Sequence, residues 1–248
     1  MNSPVILVTG AGKGIGEATV RAILQKQVPQ QNLQKKLQQN PRPRFVLTAR
    51  TRADLERLQA ECRSQGAECE ILPMELTDAP SSPVDFAIQT FGHLDAVVHS
   101  AGVGRFGDFL SLTADDLRWV MQTNVEAGFL LMQSAYRIMQ KQKSGDLVWI
   151  TSVAAETPFE QSAIYCMSKY AQKGLIEVMR LYGRKDGIRV IEVRPGATLT
   201  PMWGKLDDET QGRMMRPEDI AQPIAEALAL PRRATIEELV IRPLHGDL

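Results

Sequence analysis

Residues 5–16 read VILVTGAGKGIG: an unbroken apolar run, a glycine-rich turn, and the start of a segment with apolar residues at helical spacing. A strand without polar alternation is buried on both faces, which places it in a parallel sheet covered by helices. Gly10, Gly14 and Gly16 leave the turn bare of side chains, so the backbone itself can approach a bound group. The helix that follows offers free N–H donors and a partial positive charge, which suit a pyrophosphate. The strand–turn–helix context turns an otherwise common glycine spacing into a dinucleotide fingerprint.

The same alternation runs through the chain. Apolar runs at 5–10, 44–50, 69–76, 94–102, 145–152, 188–196 and 237–243 read as strands. Helical patterns occupy 14–27, 52–66, 82–92, 113–142, 163–184 and 217–230. Strands linked by helical crossovers predict an α/β fold: one domain over 1–248, a doubly wound parallel sheet of the Rossmann-like kind, helices on both faces. The glutamine-rich stretch at about 25–44 interrupts that order and reads as a solvated insertion or helix extension.

Composition narrows the partners. Lys+Arg and Asp+Glu balance at 29 each without a block of like charge, so no nucleic-acid partner is expected. No apolar run reaches the roughly 18 residues that span a bilayer, so no membrane partner is expected. The N-terminus lacks a basic stretch followed by an apolar one, and Cys62, Cys69 and Cys166 lack metal-ligand spacing. A cytoplasmic protein with free thiols and no metal is the resulting expectation.

The second strand ends TARTR. A site for NAD places an acidic residue there, against the ribose 2′-hydroxyl. Arg50 stands there instead, and Lys13 lies in the glycine loop. A guanidinium and an ammonium suit a 2′-phosphate, so the expected cofactor is NADPH.

In YCMSKY, Tyr165 and Lys169 lie one turn apart on one helix face, and Ser152 closes the fifth strand. Ligands of a doubly wound domain lie at the carboxyl ends of its strands, where all three can converge. Reducing a ketone needs a hydride on carbon and a proton on oxygen. A free phenol ionises near ~10, and a nearby ammonium lowers that. Ser152 can donate a hydrogen bond to the carbonyl oxygen as charge develops on it.

Taken together, TGAGKGIG, SAG at 100–102, Asn124 in MQTNV, Ser152, the Tyr165–Lys169 pair and RPGATLTPM at 194–202 resemble the short-chain dehydrogenases/reductases over nearly the whole chain. The resemblance implies an NADP-dependent oxidoreductase. Tyr165 would be the proton donor, Ser152 would polarise the carbonyl, Lys169 would hold the nicotinamide ribose, and Asn124 would anchor a water chain to Lys169. It implies cofactor contacts from Gly10, Lys13, Gly14, Ile15, Gly16, Arg50, Glu75, Leu76, Ser100, Ala101, Gly102, Pro195, Gly196, Thr198 and Thr200. Glu75 and the HSAG at 99–102 depart from the usual Asp and NNAG.

Within the family, AGVGRFG, SVAAE, TPMWGK and MMRPEDIA are similar to a subgroup, the bacterial sepiapterin reductases. That similarity implies a pterin side-chain ketone as small-molecule substrate. A loop at about 198–216 would fold over it, with Met202, Trp203 and Asp247 beside it. Trp119 and Trp149 are expected to serve packing. Two alternatives stay open: a 3-oxoacyl thioester reductase of fatty-acid synthesis, and a regulator that binds NADPH without turnover. Family members assemble as homodimers or homotetramers through the two long helices, here 113–142 and 163–184.

Overall fold

A computed structural model describes residues 3–26 and 42–246. Most of the 25–44 insertion therefore lies outside the described residues. Each apolar run becomes a strand: β1 (Val5–Thr9), β2 (Arg44–Ala49), β3 (Glu68–Pro73), β4 (Ala96–His99), β5 (Gly145–Ile150), β6 (Ile188–Pro195) and β7 (Glu238–Ile241). They form one all-parallel sheet in the order β3-β2-β1-β4-β5-β6-β7. The order reverses at β1, and neighbouring crossovers leave on opposite faces there. The crevice this opens lies at the carboxyl ends of β1 and β4.

Alternate side chains of each strand feed opposite cores, as the strand's period of two requires. Ile6 and Val8 pack under α1 (Gly14–Lys26), α2 (Arg52–Ser64) and α8 (Pro217–Leu228). Val5 and Leu7 pack under α3 (Ser82–Phe91), α5 (Ala127–Gln142) and α6 (Ala163–Asp186). Strands end one to three residues before their apolar runs do. Gly10, Ser100 and Ser152 consequently lie just past the sheet, facing the crevice rather than the ladder.

The structure differs from the sequence expectation in two places near the crevice. The helix expected over 113–142 is α4 (Ala114–Met121), then a π-helical turn (Gln122–Glu126), then α5. The break falls at Asn124, whose side chain is drawn inward by three hydrogen bonds described below. A residue that needs such partners swells the helix locally by one residue. The loop expected over 198–216 is also ordered, with a 3₁₀ turn (Pro201–Trp203) and α7 (Asp208–Arg213). Its two ends are tied by Leu199 N–H to Met215 O at 2.8 Å and Met215 N–H to Ala197 O at 3.0 Å.

Helix α6 lies close on β6 because Gly183 has no side chain. A Cβ there would stand 2.5 Å from the Ile188 carbonyl oxygen. Alanine normally strengthens a helix interior by roughly 1 kcal/mol over glycine. At this position the backbone clash dominates. Gly183→Ala is expected to lower stability by about 1–3 kcal/mol, the usual cost of overpacking. Thermal unfolding checks it, and an unchanged or raised Tm would refute the packing argument.

Candidate active site

The glycine turn is shaped by contact with its neighbours. Gly10 and Gly14 have φ of 66° and 59°, a region where a Cβ is strained. A Cβ on Gly10 would stand 2.8 Å from Ala101 N, and one on Gly16 2.4 Å from Gly10 O. The turn therefore rests directly on the 100–102 segment, with the N-terminus of α1 open to the crevice. Thr200 Cγ2 would lie 3.3 Å from a Cβ on Gly14, so the ordered loop closes over the turn from the other side.

A cleft of about 610 Å³ runs along the carboxyl ends of the strands. It is lined by most of the residues singled out from the sequence: Gly10, Lys13, Gly14, Ile15, Arg50, Glu75, Leu76, Ser100, Ala101, Gly102, Ser152, Tyr165, Lys169, Pro195, Gly196, Thr198, Thr200, Met202 and Trp203. Gly16 lies behind the turn, and Asn124 behind the wall. Asp247 lies outside the described residues. With no Cβ at Gly10, Gly14 and Gly102, the turn, the 100–102 segment and the 198–200 segment close up around the N-terminus of α1, and the bare backbone they present to the cleft fits a dinucleotide.

At the end of the cleft beside β2 and β3, Lys13 pairs with Asp54 at 3.5 Å and Arg50 with Glu75 at 3.8 Å. Both cations are largely exposed, Arg50 by 70% of its side chain. Exposed pairs of this length are worth at most about 1 kcal/mol. Neither pair is short enough to be a hydrogen bond, so both cations remain available to a more strongly anionic group. Sequence reading did not single out Asp54. It stands in the first turn of α2 and meets Lys13 only through the fold.

At the other end, Tyr165, Ser152 and Lys169 come together. All three are buried. Ser152 caps the 3₁₀ turn Val153–Ala155 by accepting from Ala154 N–H at 3.1 Å, and its side chain acts on the Tyr165 phenol in the direction that favours ionisation. Lys169 Nζ lies 5.5 Å from the Tyr165 ring centroid. It donates to Ile150 O at 3.3 Å and to Gln172 Oε1 at 3.0 Å. Burial pushes the phenol up to about 12, against the pull of Ser152. Burial also lowers the lysine to about 8, partly offset by the negative charge of Glu192. Desolvation is the largest cause of both shifts.

Asn124 joins the crevice wall to α6. Its Oδ1 accepts from Val103 N–H at 2.8 Å, and its Nδ2 donates to Val103 O and Ser168 Oγ, both at 2.9 Å. The 100–104 segment is thereby locked against the helix that carries Tyr165 and Lys169. Both donors of the Asn124 amide and one acceptor site of its oxygen serve this brace.

Aromatic rings line the mouth. Phe106 lies parallel to Trp203, at 4° and 6.0 Å between centroids, and 5.2 Å from Tyr165 and 6.1 Å from Phe159. The indole N–H of Trp203 donates to Thr198 O at 3.0 Å, which fixes the ring. Trp149 is buried, packed on His99 at 4.6 Å as a core residue. Trp119 is 46% exposed and lines the cleft, contrary to the packing role expected of it, because α4 stops short of the core. Phe106 and Phe159 escaped the sequence reading. They lie in irregular segments whose apolar residues carry no period.

A family model described as short chain dehydrogenase matches residues 4–211. The chain is 43% identical over 246 residues to a sepiapterin reductase of Chlorobaculum tepidum, covering 98% of both chains. Among solved structures, an alcohol dehydrogenase of Thermococcus sibiricus complexed with 5-hydroxy-NADP has a TM-score of 0.86 at 23% identity, covering 100% of this chain and 99% of that one. At that identity the likeness is one of fold. A metagenomic short-chain oxidoreductase in complex with NADP has a TM-score of 0.79 at 27% identity, covering 97% and 96%.

The buried lysine gives a pH-dependent stability signature. Its folded pKa lies below the ordinary lysine value, so between about 8 and 10.5 the unfolded chain holds the extra proton. Stability from this group therefore rises with pH across that window, and the burden of a buried charge is greatest below it. Lys169→Met is expected to stabilise the protein at pH 7, with the gain shrinking by pH 10. Denaturant melts of both proteins at the two pH values check it. A gain that is absent, or that grows with pH, would contradict the assignment.

Proposed function

The chain belongs to the short-chain dehydrogenase family, and from that premise we propose that it is an NADPH-dependent carbonyl reductase acting on a pterin side-chain ketone. The observation that carries the reading is the convergence of Tyr165, Ser152 and Lys169 at one end of a glycine-cradled cleft. When bound, the dinucleotide supplies the hydride. Tyr165 donates its phenolic proton to the carbonyl oxygen, and Ser152 holds that oxygen by a hydrogen bond as charge builds on it. Lys169 stabilises the phenolate left behind and holds the nicotinamide ribose. Gly10, Gly14, Gly16, Ala101 and Gly102 receive the dinucleotide backbone, and Arg50 and Lys13 take the 2′-phosphate.

The parallel Phe106 and Trp203 rings support a flat, aromatic substrate. So does the resemblance to the sepiapterin reductase. Met202 borders the same end of the cleft, and Asp247 is proposed to accept from the pterin's amino edge. A cytoplasmic homodimer or homotetramer fits the exposed apolar stripe of α6, formed by Met167, Tyr170, Val178 and Leu181 at helical spacing.

Tyr165→Phe is expected to lower kcat with sepiapterin by at least 10²-fold while NADPH still binds, as followed by cofactor fluorescence. An active Tyr165→Phe enzyme would remove the assignment. Arg50→Ala is expected to weaken NADPH by about tenfold and leave NADH unchanged. Equal losses for the two cofactors would refute the 2′-phosphate contact. An acetoacetyl thioester turned over faster than sepiapterin would move the substrate to the acyl-thioester class.

A further inference from the structure

Lys169 is a buried ammonium whose two hydrogen-bond acceptors, Ile150 O and Gln172 Oε1, are both neutral oxygens. Among the described residues no carboxylate lies within ion-pairing distance of it. The nearest buried carboxylate, Glu192, is engaged with Thr151 at 2.7 Å and lies 3.7 Å from Arg180 and 4.0 Å from Arg194. Gln172, one turn after Lys169 on α6, is 2% exposed. Its other end, Nε2, donates to the backbone carbonyl of Asn124 at 2.6 Å. That bond fixes which way the amide faces. A flipped amide would set its NH₂ against the ammonium and its oxygen against the Asn124 carbonyl. The π-helical turn thus dictates that an acceptor points at Nζ.

We propose that Gln172 is a positioning residue: its amide spans from the Asn124 carbonyl to Lys169 Nζ, keeping that amine charged and aimed into the cleft. The inference rests on the reading of Tyr165 and Lys169 as the reacting pair. The sequence expectation has Asn124 anchor a water chain to Lys169; the Gln172 amide adds a direct side-chain link between the Asn124 carbonyl and the same amine. A neutral amide suits the task. It stabilises the ammonium without drawing it into an ion pair that would compete with the ribose and the phenolate.

The remaining titratable and charged groups facing Lys169 are few. Tyr165 lies on the same helix. Glu192 on β6 favours the charged amine, and its own charge is shared with Arg180 and Arg194. His99 at the end of β4 is held neutral, depressed to about 3 by burial and by Lys169 itself. None of these is a hydrogen-bond partner of the Gln172 side chain, whose bonds go to Lys169 and the Asn124 carbonyl.

The test uses the full-length protein with ¹³Cε-labelled lysine, with Lys169→Met identifying the resonance of Lys169. The pH midpoint of that resonance is compared in wild type, Gln172→Met and Gln172→Glu. Gln172→Met is expected to move it down by about one pH unit and Gln172→Glu to move it up. With sepiapterin and NADPH, the alkaline limb of kcat/KM is expected to move in the same directions. A residue that merely fills space would lower Tm and activity at every pH without displacing the midpoint. A midpoint unmoved in both variants overturns the proposal, and the isosteric glutamate variant decides it if the methionine variant does not fold. Tyr165→Phe assayed alongside separates the two claims: its full activity would sink the catalytic reading, whereas the lysine titration still reports on Gln172.

Discussion

A positive charge taken out of water without an anion to meet it is the constraint around which this molecule is arranged. The Lys169 amine sits in a wall built from β4, β5, β6 and α6 and is satisfied by carbonyl oxygens alone. Desolvation of that kind costs several kcal/mol unless hydrogen bonds offset it. The fold supplies them from two directions: the end of β5 gives Ile150 O, and α6 gives Gln172. Such an amine has a strong appetite for any further oxygen brought to it, and the cleft is where one arrives.

The sheet order explains why these groups meet. Reversal at β1 opens the crevice between the first and fourth strands, and every strand delivers its last residue to the same edge. The 3₁₀ turn after Ser152 is then fastened on both sides. The carbonyl of Glu156 accepts from the Tyr170 hydroxyl at 2.7 Å, and its carboxylate pairs with Arg194 on β6 at 2.7 Å. Ser152 is held by a chain of contacts from β6 through Glu156 to α6, so its hydroxyl stays beside Tyr165 without relying on the loop itself.

Much of this was legible in the sequence because it is periodic or local. Unbroken apolar runs, the mark of strands buried on both faces, located the seven strands. Gly10, Gly14 and Gly16 are legible because only glycine tolerates those backbone angles and contacts, and Tyr165 with Lys169 because four residues make one turn. What stayed hidden depends on distant partners. The π-helical turn at 122–126 follows from bonds between Asn124 and residues 21 and 44 positions away. Gln172 looked like any polar residue of an amphipathic helix until the Asn124 carbonyl appeared beside it. Phe106 and Trp203 are nearly a hundred residues apart, and nothing in either neighbourhood announces that their planes will align.

The backbone ties between Leu199, Ala197 and Met215 reach beyond local order. They make the 199–214 segment a handle with both roots clamped to the rim of the sheet. Its crown carries Met202 and Trp203 to the mouth of the cleft, so the residues that border it hang from β6 by backbone bonds at the roots. Neither Met202 nor Trp203 belongs to the two main core clusters, so the mouth of the cleft can be reshaped by substitution without disturbing the packing that holds the sheet.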